Sequence, residues 1–153
     1  MNEVSSLHTT AMDFAERAFV AVRGGDLAVA DALLREAYEH ERKAAMALVS
    51  SPEIEPTRSV LFRSSASLAI DCREYREAER LISFGLSGNP PEEIAEELRD
   101  LLESVHFGRH LEPKDMLVSQ GAFQFSLAGP AVGHGIVVVR EFVPRLTALE
   151  RLL

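Results

Sequence analysis

The sequence predicts a mainly α-helical domain of stacked antiparallel helical hairpins. A capping helix closes the stack, and a small C-terminal β-hairpin plus helix follows. Three observations carry this prediction. A pattern of small residues occurs twice, as Phe62, Ala66, Tyr75, Ala78, Ile82, Gly85 and as Phe14, Ala18, Leu27, Ala30, Leu34, Ala37. In both copies a small residue stands 12 positions before the central alanine (78 − 66 and 30 − 18) and another 7 after it. Small side chains at such positions let two helix axes approach closely. Apolar residues also recur at helical intervals as far as Val105, and after Pro113 the period changes to two.

The first helix is expected over about 9–23, with Phe14, Ala18, Phe19 and Val22 on its apolar face, Thr9 or Thr10 as its cap and Gly24-Gly25 as its stop. Asp26 then caps a second helix over about 27–49, whose apolar positions are Leu33, Leu34, Ala37, Ala44 and Leu48. Ser50, Ser51 and Pro52 end it. A third helix is expected over about 56–72, with proline in its first turn and Leu61, Phe62, Ala66, Ala69 and Ile70 as its stripe. A turn at Arg73-Glu74 leads into a fourth over 75–86. Ser87 to Pro91 combine a glycine stop, an asparagine cap and two prolines. The fifth helix opens on Glu92 and Glu93, as its dipole favours, and carries Ile94, Leu98, Leu101, Leu102 and Val105 at i, i+4, i+7, i+8, i+11.

Beyond Pro113, Phe123, Phe125 and Leu127 alternate with polar residues, and Ile136 to Val139 read as a second strand. Phe142, Leu146, Leu149, Leu152 and Leu153 mark a last helix. The organisation is thus a helical region over 1–112 and a hairpin-plus-helix segment over 113–153. A lone hairpin is barely stable in water. The 123–153 segment is therefore expected to pack on the helices or to pair with a second copy in a homodimer.

Composition narrows the function classes. With 46% hydrophobic and 26% charged residues the chain has the balance of a globular domain. Its formal net charge of −8 opposes phosphate backbones, and no basic run exceeds Arg42-Lys43, so no nucleic acid is expected as a partner. Cys72 is the single cysteine, which excludes an intrachain disulfide and a thiolate metal cluster. Met1 to Thr10 lacks the apolar centre of a signal peptide, and no apolar run approaches the ~20 residues of a membrane span. A cytoplasmic protein that avoids the membrane is expected.

Residues 59–92, with Ala66, Tyr75, Ala78, Gly85 and Pro90, resemble one tetratricopeptide repeat. Residues 11–44 resemble it more weakly, with Ala18, Leu27, Ala30 and Ala37 but Arg42 where the closing proline belongs. The copies stand 48 residues apart (78 − 30), against roughly 34 in a regular array. The 123–153 segment is similar to uncharacterised bacterial helical-repeat proteins. The resemblance implies that the first helix of each hairpin lines a concave face. Met12, Phe19 and Arg23 of the first pair and Arg63, Ser67 and Asp71 of the second would then meet a protein or peptide. Arginine suits an acidic or carboxylate-ended peptide. The plainer reading pairs Arg63 and Arg73 with acids such as Glu77 and Glu74.

Candidates for chemistry are few. Arg35 and His40, as Arg-x4-His on a helix, resemble the motif of HEPN-type ribonucleases, which would imply phosphate binding by the arginine and acid–base work by the histidine. Glu36, Glu39 and Glu41 around them repel phosphate and point instead to a solvated helix face. His106 and His110 have a zinc-compatible spacing, but Gly108 between them is expected to break the helix. Gly133-His134-Gly135 reads as a turn. No nucleophile elbow, phosphate loop or dinucleotide fingerprint is present, so no cofactor and no metal are expected. The expectation is a non-enzymatic protein-interaction module, with a HEPN-like ribonuclease or a structural homo-oligomer as the alternatives.

Overall fold

A computed structural model describes residues 2–111. The expected β-hairpin and last helix, the 113–153 segment, His134 and the proposed homodimer contact all lie outside the described residues. Within them the chain forms five helices and no strand: α1 (Asn2–Arg23), α2 (Leu27–Ala47), α3 (Thr57–Asp71), α4 (Tyr75–Leu86) and α5 (Glu92–Leu111). No helix among the described residues is long and apolar enough to cross a membrane.

α1 starts seven residues before the expected cap. Val4 and Ala11 are buried and Leu7 packs on the core, so the apolar stripe runs back past Thr9. The hydroxyls of Thr9 and Thr10 donate to the carbonyls of Ser5 and Ser6, each at 2.9 Å, as mid-helix threonines do. Asp26 is the expected cap of α2, its carboxylate accepting from the Val29 N–H at 3.2 Å.

α1 packs lengthwise on α2, α3 on both α2 and α4, and α5 on α4 and α3. α3 is the centre of the stack. Ten of its fifteen residues are buried, on every side of the helix, including Arg58, Ser59, Ser64, Ser65 and Ser67. A helix enclosed on all sides has no polar face to give to water, and its serines keep the neighbours close.

The repeated small residues lie where helices meet. Ala18, Ala37, Ala66 and Ala78 are fully buried and Ala30 nearly so. A Cβ on Gly85 would lie 2.9 Å from Leu98 Cδ1 and 3.2 Å from Phe62 Cβ, so glycine sets the approach of α3, α4 and α5 there. Gly108 does not break α5, contrary to expectation. A Cβ there would meet the Tyr75 ring at 2.6 Å, so the glycine admits an aromatic ring and the helix runs on to Leu111.

Candidate functional site

The six residues expected to face a ligand fall into two groups with different surroundings. On α1, Met12 and Phe19 are half-buried, and exposed Arg23 lays its guanidinium 5.7 Å from the Phe19 ring centre. On α3, Ser67 is buried, and Arg63 donates to Glu97 of α5 at 2.6 Å. Arg63 is thus paired, as the plainer reading had it, but with Glu97; Glu77 and Glu74 bind Arg42 and Arg35 of α2. Asp71 is largely shielded, its Oδ2 has no hydrogen-bond partner, and burial pushes its carboxyl up to about 7. α1 and α3 each pack along α2.

Arg35 and His40 take partners in different parts of the chain, the turn before α4 and α1. Arg35 pairs with Glu74 at 3.3 Å, while the His40 ring lies 5.5 Å from Phe14 of α1 and its Nδ1–H donates to the Glu36 carbonyl. Burial pushes the thiol of half-buried Cys72 up to about 11, which disfavours the thiolate. Among the described residues no group of three His, Cys, Asp or Glu is placed to hold a metal.

Sequence reasoning missed two buried charges. Glu41, expected on a solvated face, is fully buried. Its carboxylate accepts from His8 Nδ1 at 2.9 and 3.1 Å. Burial raises the Glu41 carboxyl, an effect that His8 opposes, and the same hydrogen bond raises the His8 imidazole. The signal was present: 34, 37, 41, 44, 48 is an unbroken core stripe with glutamate at its centre.

Arg58, 2% exposed, is the second. Its Nη2 donates to the Phe84 carbonyl at 2.8 Å and to the Val49 carbonyl at 3.4 Å, its Nη1 reaches Glu55 at 3.4 Å, and its Cζ lies 5.0 Å from the Phe62 centroid. One guanidinium therefore ties the chain beyond α2, the start of α3 and the end of α4. Its Nε has no partner. Both buried charges are enclosed and occupied, and neither presents a face to a ligand.

An open groove of about 530 Å³ lies on the outer side of α4, beside the end of α5. Arg76, Glu79, Arg80, Ser83 and Phe84 of α4 and Arg109 of α5 line it. The helix period places 76, 80, 83 and 84 on the side of α4 away from its buried stripe Ala78, Leu81, Ile82, Gly85. Arg109 pairs with Glu79 at 3.0 Å and Arg80 with Glu77 at 3.4 Å, while Glu77 also accepts from Arg42 at 3.0 Å. Arg76 makes no ion pair among the described residues. Phe84 stands 36% exposed at one end, its ring tilted against Phe62 at 5.8 Å. Three guanidinium groups and an aromatic edge are thus gathered on an acidic protein.

Compared with known proteins, the chain matches no family model, no curated protein and no solved structure.

Proposed function

We propose that this chain is a non-enzymatic interaction module that binds a protein or peptide on the surface of two tetratricopeptide-like hairpins. The repeat reading is supported by buried small residues at the same spacing in both hairpins and by the shared form of their turns. The observation that carries the function is the groove on α4. It joins open volume, exposed cations and an exposed aromatic. Recognition surfaces favour arginine and aromatic residues in this way. Of the concave-face residues, Arg23 keeps an exposed charge, whereas Ser67 is buried and Arg63 is engaged by Glu97. The α4 groove is therefore placed ahead of the concave face.

The test is affinity capture from the source organism's lysate with wild type, Arg76→Glu/Arg80→Glu and Arg23→Glu side by side, read by mass spectrometry. A partner held by wild type and lost by the double reversal supports a module that binds through α4. Loss with Arg23→Glu alone returns the site to the α1 side. If wild type retains no protein, the module reading fails.

A further inference from the structure

The α4 groove has a definite electrostatic sense, and that sense selects a class of partner. The whole chain carries −8, yet the groove holds three arginines against one glutamate. Glu79 is the only acid among its lining residues, and it faces Arg109. Arg80 shares Glu77 with Arg42, and Arg76 makes no ion pair among the described residues. Exposed pairs of this kind contribute little to stability. Exchanging one for an incoming carboxylate therefore costs little, and the guanidinium fork can meet that carboxylate with two hydrogen bonds.

Shape narrows the choice further. The groove is an open trough along α4 from Arg76 to Phe84, about 12 Å at 1.5 Å per residue. A small phosphorylated molecule would leave most of its surface in water there, unlike the enclosure that small-ligand sites provide. An extended or helical peptide fits a trough of that length. Cations gather toward Arg76, and the apolar edge of Phe84 lies at the other end.

Resting on the interaction-module reading, we infer that this groove docks an acidic segment of a partner protein, with carboxylates against Arg76 and Arg80 and an apolar side chain on Phe84. Glu79 sets the register, since a partner carboxylate placed opposite it would be repelled. The contact is salt-sensitive, because its charges are exposed.

The probe is a fluorescein-labelled peptide, Gly-Glu-Glu-Leu-Glu-Glu-Gly, beside its glutamine counterpart, followed by anisotropy in low and high salt. The acidic peptide is expected to bind at least ~10-fold tighter than the glutamine peptide and to weaken as salt rises. Arg76→Glu/Arg80→Glu should cost it ~10-fold or more, and so should Ser83→Glu. Arg99→Glu, which reverses an exposed charge on α5 outside the groove, should leave binding unchanged. Circular dichroism of each variant confirms the helical content.

Equal binding by wild type and the double reversal overturns the inference. Equal binding of the two peptides, both lost in Ser83→Glu, overturns the acidic partner and leaves the module reading standing. A mass that rises with concentration in wild type and not in the double reversal puts a second copy in the groove, which also overturns it. Failure of both peptides alongside a lysate partner kept by the double reversal sinks only this inference. Failure of both peptides and of lysate capture sinks the module reading as well.

Discussion

α1 and α3 end in the same way, 48 residues apart. In the first hairpin the Asp26 N–H reaches back to the Ala21 carbonyl at 3.0 Å and the Gly25 N–H to Val22 at 3.0 Å, with Gly25 at φ 81°. In the second the Glu74 N–H reaches Ala69 at 2.8 Å and the Arg73 N–H reaches Ile70 at 2.9 Å, with Arg73 at φ 62°. Both are the left-handed helix stop in which two reversed hydrogen bonds satisfy the last carbonyls. The interiors differ. The first hairpin buries an acid, Glu41, against a histidine, whereas the second buries a base, Arg58, against backbone carbonyls and Glu55. The same backbone instructions thus enclose opposite charges, and only the first of these two changes its state with pH.

The largest effect should follow from breaking the second interior. Arg58→Met keeps the length and apolar stem of the side chain but takes the guanidinium from the Val49 carbonyl, from one oxygen of Glu55 and from the Phe84 carbonyl, which keeps only the Ser87 hydroxyl. Removing one member of a buried charged set costs about 3–5 kcal/mol, and urea unfolding should show a loss of that order. A loss below about 1 kcal/mol, the scale of an exposed pair, would mean that Arg58 does not hold the three segments together.

Asp71 comes next, because it gives the second hairpin a titration of its own. Its ordinary value is 3.8 and burial lifts it to about 7. Between those values the folded state holds a proton that the unfolded state has released, so stability falls as pH rises from 3.8 to about 7 and then levels. Asp71→Asn removes the cost of the buried charge. It should match wild type near the acid end of that window and exceed it at pH above 7, by on the order of 2 kcal/mol after allowing for solvent near the site. A variant no more stable than wild type at alkaline pH would show that Asp71 is solvated when ionised.

The first hairpin titrates in a later window, with a smaller amplitude because His8 is partly exposed. Its imidazole is raised above 6.5 by the hydrogen bond to Glu41. The stabilisation it brings is complete below 6.5 and is lost as pH climbs through the raised value, leaving buried Glu41 without its hydrogen-bonded cation and with only the charge of Arg63 still acting on it. Wild-type melting temperature should therefore fall on the alkaline side of 6.5. Glu41→Gln should flatten that fall. A slope that survives in Glu41→Gln above about 7, where Asp71 has levelled, would assign it to another group.

How much of this was legible in the sequence follows from what each signal encodes. Helix ends set by local chemistry were readable: Asp26 as a cap, Gly24-Gly25 as a stop, and α4 from Tyr75 to Leu86. Close approach was readable too, since Ala18, Ala66 and Gly85 are small for a packing reason. Reading by residue type failed where position outweighed polarity. Glu41 and Arg58 are charged, yet each continues a buried stripe, and their partners His8 and Phe84 are 33 and 26 residues away. Threonine as a cap failed at Thr9 because Val4 and Leu7 extend the stripe behind it. Gly108 as a breaker failed because the Tyr75 ring that fills its place comes from another helix. The groove joins α4 to Arg109, and pairing across helices is not written in the spacing along either one.

The smallest effect tests the shared turn itself. Gly25 adopts its positive φ without a Cβ, and nothing lies within 4 Å of where one would go. Gly25→Ala therefore changes backbone preference alone and should lose about 1 kcal/mol. Arg73 already bears that cost, since a side chain in the left-handed region is disfavoured by roughly 1 kcal/mol. Arg73→Gly relieves it, and the extra freedom of glycine in the unfolded chain takes back part of the gain. The net change should be a gain of less than about 1 kcal/mol. Opposite signs in urea unfolding would establish the two turns as one device, built with the fitting residue in the first hairpin and a strained one in the second. If Arg73→Gly is instead destabilising, the arginine side chain must contribute more than its backbone strain costs, and the symmetry of the two hairpins stops at their hydrogen bonds.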